Sequence, residues 1–315
     1  MIGSELDAAG VRDPALRAAY RHCRHLNARY GRTFFLATRL LAPDQRPAVH
    51  ALYGFARQAD DILDDFDPGL STTERARRLQ SLAARLSDRL KDGHRIGDDP
   101  ALTAVVHTAR AYAIPWQLFD DFLASMRMDL TVTDYPDRQA LDRYVHGSAE
   151  VIGLQLLPVL GTVAPREEAA PYAAALGKAF QLTNFLRDID EDLQRGRIYL
   201  PADELAAHQV DRDVLMWCHT HRRTDPKVRA ALVEQHALTR KVYDYARRGI
   251  AMLQPRSRPC VAVALTLYSE ILKRIEDIDF AVFSRRATVG TARRLRVAGV
   301  GLLQAWAARP RGGQD

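Results

Sequence analysis

The sequence predicts an all-α protein. Apolar residues recur at helical spacing in long segments, as at Val49, Leu52, Ala56, Ala59 and Leu63, which share one face of a helix. No segment shows the sustained alternation of apolar and polar residues that is typical of a half-buried strand. Short clusters rich in Gly, Pro, Asp and Thr separate the apolar segments. We therefore expect helices throughout, joined by short turns.

The turn clusters divide the chain in order. They fall at 67–71, 92–100, 133–137, 162–168, 195–203 and 224–227. Within one of them, Gly196 can end a helix, and Pro201 followed by acidic residues can begin the next. Another segment is rich in small residues that favour close helix packing, namely Gly147, Ser148, Ala149 and Gly153. Since no repeat and no change in composition splits the chain, residues 1–315 are predicted to form one domain, with a core of about 20–300.

Composition limits the classes of partner and compartment. The net charge is +6, and arginines gather at 285–296, which suits an anionic partner but is also typical of a solvated basic face. No nucleic-acid-binding motif is present and the arginines are not interleaved with aromatics, so no nucleic-acid partner is expected. Three scattered cysteines imply no disulfide framework and favour the cytoplasm. The first residues lack the apolar segment of a secretory signal, and no stretch reaches the roughly 20 apolar residues of a spanning helix.

Acidic residues concentrate in the segment QADDILDD, residues 58–65. On a helix, Tyr53, Arg57, Asp60 and Asp64 lie on one stripe because they are three or four residues apart, and Asp61 lies on the adjacent stripe. We call these five residues the first acidic cluster. Like charges one turn apart destabilise a helix. The cluster is therefore either a solvated helix end or the place where a positive group binds.

A second polar stripe follows in QLTNFLRDIDEDLQRGRIYLP, residues 181–201. Gln181, Asn184, Asp188 and Asp192 again recur three or four residues apart, and Arg187 lies beside them. We call these five residues the second acidic cluster. The rest of the predicted helix is mostly apolar, so this line of amide and carboxylate oxygens needs a partner.

Mg²⁺ is a suitable partner for both clusters. It prefers oxygen ligands and binds through one or two carboxylates together with waters and substrate phosphates. A diphosphate could bridge such ions between the two helices, with Arg57 and Arg187 compensating its remaining charge. The first cluster alone is equally typical of a solvated helix end, and the second alone is a weaker signal of a site than the first. Together they predict divalent-metal diphosphate chemistry in a helical cavity, and their spacing does not name the substrate.

Six segments of the chain resemble the trans-isoprenoid squalene/phytoene synthases, and within that family the bacterial phytoene synthases. The segments lie in family order between about Arg24 and Arg296. They are GRTFFLATRLL (31–41), ALYGFARQADDILDD (51–65), SMRMDLTVTDYP (125–136), YVHGSAEVIGLQLLPVLG (144–161), QLTNFLRDIDEDLQRGRIYLP (181–201) and LTLYSEILKRIED (265–277). The resemblance implies the all-α isoprenoid synthase fold, a single helical domain around a central cavity.

The resemblance also assigns roles to individual residues. It implies Mg²⁺, or Mn²⁺ in its place, held by two sets of ligands: Asp60, Asp61 and Asp64, and Asn184, Asp188 and Asp192. It implies substrate diphosphate contacts from Arg32, Tyr53, Arg57, Gln181, Arg187, Tyr268 and Arg285. It places the catalytic role on Asp60, Asp64, Asp188 and Asp192, together with the cavity tyrosine Tyr144.

The implied reaction is the head-to-head condensation of two geranylgeranyl diphosphates through a cyclopropylcarbinyl diphosphate, with loss of diphosphate and without NADPH. Two alternatives keep the fold and change the product: squalene or dehydrosqualene formation from farnesyl diphosphate, and a terpene cyclase-like product. A non-catalytic helical or lipid-binding module is less favoured, because such relatives would be expected to lose the acidic clusters. No obligate protein partner is expected.

Two further features bear on hydrophobic substrates. A carbocation requires a dry pocket with aromatic walls, for which the candidates are Phe34, Phe35, Tyr144, Phe180, Phe185 and Tyr268. Each of these residues is individually compatible with plain core packing. The segment GVGLLQAWAARP, 299–310, could lie peripherally on the inner face of an anionic membrane, and a core helix explains it equally well.

Overall fold

The computed structural model describes residues 2–64, 70–92 and 97–307, and leaves the side chains of Asp64, Asp92, Gln304, Trp306 and Ala307 undescribed. Within those ranges it is built from helices and contains no strand, as predicted. The α-helices are α1 Ile2–Ala8, α2 Pro14–Tyr30, α3 Arg32–Thr38, α4 Arg46–Asp64, α5 Thr72–Asp92, α6 Pro100–Ala111, α7 Gln117–Met128, α8 Arg138–Val145, α9 Val151–Leu160, α10 Arg166–Gln194, α11 Ala202–Ala207, α12 Arg212–His221, α13 Pro226–Arg247, α14 Arg258–Asp277 and α15 Thr291–Ala307. A π-helical turn, His146–Glu150, joins α8 to α9, and a 3₁₀ turn, Arg248–Met252, follows α13.

Aspartate side chains cap the start of several helices. Each accepts a hydrogen bond from a backbone N–H two or three residues ahead, which satisfies a donor that the helix itself leaves unpaired. These caps are Asp13, Asp99, Asp137, Asp211 and Asp225, at the starts of α2, α6, α8, α12 and α13. Proline follows the cap in α2, α6 and α13, where its missing N–H costs nothing. Local sequence therefore determines where these helices begin.

Helix α10 is the longest helix and packs against α9, α13, α14 and the π-helical turn. Glycines allow its backbone to approach its neighbours closely. A Cβ on Gly177 would lie 2.2 Å from the carbonyl oxygen of Ala149, and one on Gly153 would lie 2.2 Å from that of Ala173. The close packing predicted for the small residues near 150 is thus confirmed. Since the backbone has little room to shift, the segment of α10 around Gly177 is held firmly in place.

The buried apolar side chains form separate clusters around the two acidic helices. The largest surrounds α10, α13 and α14, and a second lies among α4, α5, α6 and α7. Helix α3 contacts both α2 and α14 and so lies between the two halves of the chain. All three cysteines are free. Over the ranges given above, no helix is both long enough and apolar enough to span a membrane.

Candidate active site

The first acidic cluster occupies the last turns of α4. Arg57 donates a hydrogen bond to Asp61, one turn further along. Its guanidinium also lies 4.6 Å from the ring centroid of Tyr30, so the aromatic face helps to hold it. Asp60 is half-buried, whereas the Asp61 side chain is 51% exposed. Asp64 is the last residue of α4, and its side chain lies outside the described part of the structure.

Tyr53 forms the inner end of the same stripe. It packs so tightly against the turn between α2 and α3 that a Cβ on Gly31 would lie 2.6 Å from its ring. Burial raises the pKa of the Tyr53 phenol to about 12, Arg57 lowers it, and Asp60 and Asp61 add to the rise. The phenol therefore stays protonated at neutral pH and can donate a hydrogen bond.

The second acidic cluster lies near the end of α10, where arginines from two parts of the chain meet it. Asp188 accepts hydrogen bonds from Arg187 Nε at 2.8 Å and from Arg286 Nη2 at 2.9 Å. Arg286 also donates to Glu191. Its position between α14 and α15 brings a positive charge across from the far end of the sequence. The acidic stripe of α10 thus receives cationic partners from its own helix and from outside it.

Asp192 and Asn184 retain oxygen atoms suited to a cation. Burial raises the pKa of Asp192 to about 7, and Asp188 adds to the rise, while Arg195 and Arg197 oppose it. The Asn184 Oδ1 atom is buried and has no hydrogen-bond partner among the described residues. A buried acceptor without a partner is costly. Together with Asp188, these groups form an all-oxygen donor set that fits Mg²⁺ or Mn²⁺.

Tyr268, on α14, lies near the second acidic cluster. Burial raises the pKa of its phenol to about 12. Arg187 lowers that pKa, whereas Tyr53 and Asp188 raise it. The Tyr268 ring centroid lies 4.3 Å from that of Phe180 and 5.1 Å from that of Phe34. The diphosphate-binding residues implied by the resemblance therefore border an aromatic group.

A second aromatic group surrounds Tyr144. The Tyr144 ring centroid lies 5.4 Å from that of Tyr199 and 6.3 Å from that of Phe185, and Tyr199 stacks on Phe185 at 4.2 Å. The structure thus groups five of the six predicted wall residues into two sets. Phe35 belongs to neither set, because it stacks on His50 at 5.7 Å.

An aspartate outside both acidic clusters organises the Tyr144 group. Asp129 accepts hydrogen bonds from Tyr144 Oη at 2.8 Å and from Tyr199 Oη at 3.2 Å. Its backbone carbonyl oxygen accepts from Arg197 Nη2 at 2.8 Å. We call these four residues the Asp129 cluster. Burial raises the pKa of Tyr144 well above its ordinary value, with Asp129 contributing, so this phenol remains a hydrogen-bond donor at neutral pH.

The turn after α10 links the Asp129 cluster to the second acidic cluster. Gly196 adopts φ +76°, a conformation that glycine accepts at little cost, and the Arg197 N–H returns to the carbonyl oxygen of Asp192 at 2.8 Å. This turn directs Arg197 towards Asp129. The sequence indicated that a helix ends at Gly196, but it did not identify Asp129 as the residue that the turn contacts.

Three predicted substrate ligands differ in their surroundings. Gln181 accepts a 3.4 Å hydrogen bond from Asn184 Nδ2, within the stripe of α10. Arg32 is exposed at the start of α3. Arg285 is also exposed, and its neighbour Arg286, which the sequence analysis did not select, makes the ion pairs to Asp188 and Glu191. The roles of Arg32, Gln181 and Arg285 remain predictions.

No group of three His, Cys, Asp or Glu side chains converges to a metal site in the described ranges. The second acidic cluster is not such a group, because one of its three predicted oxygen ligands is the amide of Asn184. The first depends on Asp64, whose side chain is not described. Metal binding therefore remains a prediction, supported by the unpartnered oxygen of Asn184.

Comparison with known proteins gives a consistent assignment. Residues 27–293 match the family model for squalene/phytoene synthase. The phytoene synthase of Arthrospira platensis is 36% identical, over 90% of this chain and 93% of that protein. The 15-cis-phytoene synthase of Synechococcus elongatus is also 36% identical, over 92% and 94%. A crystal structure of a dehydrosqualene synthase with a ligand superimposes with a TM-score of 0.81 at 24% identity, covering 93% of this chain and 98% of that one. The chain belongs to the squalene/phytoene synthase family and has the isoprenoid synthase fold.

Proposed function

We propose that the protein condenses two geranylgeranyl diphosphates head to head and converts the resulting cyclopropylcarbinyl (prephytoene) diphosphate to phytoene. Phytoene synthases that match nearly the whole chain at 36% identity support this reaction. The observation that carries the proposal is that Tyr268, whose pKa responds to Arg187 and Asp188 of the second acidic cluster, stacks on Phe180 and lies against Phe34.

Two sets of oxygen ligands would hold the divalent cations. Asn184, Asp188 and Asp192 form one set on α10. Asp60 and Asp61 belong to the other on α4, with Asp64 assigned to it by the resemblance. When bound, Mg²⁺ or Mn²⁺ would neutralise diphosphate charge and so make the diphosphate a better leaving group.

The arginines would bind the remaining charge of the diphosphate. Arg187 and Arg286 presently share Asp188, and Arg57 holds Asp61. A guanidinium can transfer from a carboxylate to a phosphate without losing its charge-assisted hydrogen bonds. Substrate binding would thus release the carboxylates as the arginines turn to the diphosphate.

In the first half-reaction, the C–O bond of one substrate breaks and its electron pair leaves with the diphosphate. The double bond of the second substrate attacks the allylic cation, and loss of one proton closes the cyclopropane ring. Phe34, Phe180 and Tyr268 would exclude water and stabilise the cation with their ring faces. Because the pKa of the Tyr144 phenol is raised, the phenol stays protonated at neutral pH, so we do not assign it as the base that takes this proton. We assign that role to the released diphosphate.

In the second half-reaction, the cyclopropylcarbinyl diphosphate ionises, rearranges and loses a proton. Proton loss leaves a central triene and needs no reductant, so NADPH is not expected to take part. Farnesyl diphosphate as substrate, or reduction of the cation by NADPH, would define the alternative squalene-type products.

The test is a product assay with the purified protein. Geranylgeranyl and farnesyl diphosphate are supplied separately with Mg²⁺, with and without NADPH, and the extracted hydrocarbons are identified by mass spectrometry. We expect a forty-carbon triene-centred product from geranylgeranyl diphosphate, unchanged by NADPH, and none after chelation of the metal with EDTA. A thirty-carbon product formed faster from farnesyl diphosphate, or a product that requires NADPH, would overturn the proposal.

A further inference from the structure

A buried tyrosine beside the Asp129 cluster has a hydroxyl group without a partner. Tyr135 lies between α7 and α8 and is only 2% exposed. Its Oη atom is buried and has no hydrogen-bond partner among the residues that the structure describes. A buried O–H group that makes no hydrogen bond costs free energy, and in a native structure it needs an explanation. A different arrangement of the donors around Tyr135 would remove this cost.

The ring neighbours of Tyr135 are the two phenols that donate to Asp129. The Tyr135 ring centroid lies 5.5 Å from that of Tyr144 and 5.9 Å from that of Tyr199. Its backbone is fixed to the segment after α10, because the Ala202 N–H donates to the Tyr135 carbonyl oxygen at 2.9 Å. Three phenols therefore lie together, and two of them share one carboxylate.

The charge of Asp129 acts on Tyr135 as well. Burial raises the pKa of the Tyr135 phenol well above its ordinary value, Asp129 and Tyr199 add to the rise, and Arg197 lowers it. The phenol of Tyr135 therefore stays protonated at neutral pH, as that of Tyr144 does. Both side chains are hydrogen-bond donors that a carboxylate attracts.

The Asp129 cluster lies beside the predicted cation ligands. The Arg197 N–H donates to the carbonyl oxygen of Asp192 at 2.8 Å. Burial raises the pKa of Tyr199, and both Asp129 and Asp192 add to the rise. A diphosphate held by the second acidic cluster would therefore offer its oxygens close to the phenols that now donate to Asp129.

The O–H group of Tyr144 is a single donor. As the C–O bond of the substrate breaks, negative charge builds up on the diphosphate, and an O–H donor stabilises that charge. If Tyr144 turned to the diphosphate, the Asp129 carboxylate would lose a donor, which is costly away from bulk water. We propose that Tyr135 is the replacement donor, which turns its hydroxyl to Asp129 as Tyr144 moves its hydrogen bond to the substrate diphosphate. This inference rests on the proposed function, because it places the diphosphate beside Tyr144.

The exchange forms one more hydrogen bond than it breaks. Tyr144 gives up Asp129 for the diphosphate, and the unpartnered hydroxyl of Tyr135 gains Asp129. No proton is transferred, and no side chain changes its charge. Tyr135 is a positioning residue in this scheme, because it keeps Asp129 and Tyr199 in place and does not touch the substrate.

The first test uses the full chain without substrate, so its outcome does not depend on the proposed reaction. Tyr135→Phe should leave the melting temperature unchanged or raise it, because it removes a hydroxyl that has no partner. In Tyr144→Phe, Asp129 lacks one donor and Tyr135 should replace it. Adding Tyr135→Phe to that variant should therefore lower the melting temperature by about 2 °C. Circular dichroism melting of the four proteins measures this.

The second test follows the exchange during turnover. Tyr135→Phe should lower kcat about tenfold with little change in KM, because the exchange accompanies bond breaking and not substrate binding. In Tyr144→Phe, the same substitution should have little further effect. Initial rates of diphosphate release measure these values whatever hydrocarbon is formed. A different hydrocarbon would contradict the proposed function, whereas the melting temperatures would still decide the exchange.

Tyr20→Phe is the matched control. Tyr20 is also buried, but its Oη atom bonds to His107 Nδ1 at 2.8 Å and to Thr108 Oγ1 at 2.9 Å. Removal of this hydroxyl should lower the melting temperature and leave kcat unchanged, which is the reverse of the result expected for Tyr135→Phe.

Three results would overturn the proposal. The first is an equal fall in melting temperature when Tyr135→Phe is introduced into the unchanged protein and into Tyr144→Phe, because Tyr135 would then have a fixed partner. The second is no fall in Tyr144→Phe, because Tyr135 would then not reach Asp129. The third is a fully additive loss of kcat in the double variant. If Tyr144→Phe does not fold, an unchanged kcat in Tyr135→Phe overturns the proposal.

Discussion

The two acidic clusters have similar spacing in the sequence but different surroundings in the fold. Asp61 of the first cluster has a side chain that is 51% exposed, whereas that of Asp188 in the second is 17% exposed. The first lies on the C-terminal part of α4. The second lies on α10, which other helices hold on several sides. Equal spacing therefore does not imply equal preorganisation.

The clusters also differ in the positive charge that surrounds them. In the part of the chain that the structure describes, Arg57, itself a member of the first cluster, pairs with Asp61. The second is approached by Arg187 on α10, by Arg286 from beyond α14, and by Arg195 and Arg197 from the turn that follows α10. We infer that the second cluster is the better-formed binding site before any ligand arrives, and that the first is completed by the cations and the substrate. The following predictions test this difference.

The largest effect is expected from removing one aspartate of either cluster. Asp60→Ala and Asp188→Ala should each lower product formation at least about a thousandfold, because each removes a cation ligand from the transition state. The clusters should differ in a binding measurement. The rise in melting temperature caused by Mg²⁺ should largely persist in Asp60→Ala and disappear in Asp188→Ala.

Asp244→Ala is the matched control, since Asp244 is an exposed aspartate on α13, and it should retain both activity and stabilisation by Mg²⁺. More than a tenth of the original activity in Asp188→Ala, with a normal circular dichroism spectrum, would contradict the prediction. Loss of the Mg²⁺ effect in Asp60→Ala but not in Asp188→Ala would reverse the proposed difference between the clusters.

Much of this arrangement could be predicted from local sequence. The all-α fold and the family are confirmed, and the turn at Gly196 and the helix start after Pro201 occur where expected. These features depend on residues close together in the chain. Helical spacing likewise grouped the polar residues of α10 correctly, because the helix is continuous through Gln194.

The remaining contacts join residues that are distant in the sequence. Asp129 immediately follows α7 and meets Tyr144 and Tyr199, which are 15 and 70 positions away. No periodicity relates these three positions. The choice between Arg285 and Arg286 depends on the path of an irregular segment before α15, in which Arg286 meets Asp188 and Glu191. Tertiary packing, and not local pattern, decides both contacts.

An intermediate effect is expected at Asp129. Asp129→Asn should lower kcat by about tenfold to a hundredfold with little change in KM, because a neutral amide holds the phenols of Tyr144 and Tyr199 less strongly than a carboxylate does. Steady-state kinetics measures this. Asp129 acts here as a positioning residue, so combining Asp129→Asn with Tyr144→Phe should cost less than the sum of the two single effects.

Asp134→Asn provides the control, because Asp134 lies in the same stretch of chain with a side chain that is 61% exposed. It should leave kcat unchanged. Fully additive losses in the double variant would show that Asp129 does not act through Tyr144.

A smaller effect is expected at the arginine that reaches α10 from outside. Arg286→Gln should raise KM about tenfold, because it removes a charge-assisted contact from the second cluster. Arg285→Gln, at the adjacent exposed position, should raise KM less. Initial rates over a range of substrate concentrations compare the two. A larger rise in KM for Arg285→Gln than for Arg286→Gln would mean that Arg285, as the resemblance implies, is the residue that contacts the substrate diphosphate.

The smallest effect concerns the stability of the cation-free protein. The pKa of Asp192 is raised from its ordinary value of 3.8 to about 7, so the folded protein retains a proton that the unfolded chain loses between these values. The Asp192 contribution should therefore make the free energy of unfolding fall as pH rises from about 4 to about 7, by no more than about 1.4 kcal/mol per pH unit, and then become constant. Asp192→Asn should remove this part of the slope.

Urea titrations in EDTA at several pH values measure the slope for both proteins. At high pH, Mg²⁺ should reduce the difference in the free energy of unfolding between the unchanged protein and Asp192→Asn, because the cation favours the ionised carboxylate of Asp192. Parallel pH profiles for the two proteins would mean that Asp192 is not held in the protonated form, and that the second cluster is as well solvated as the first.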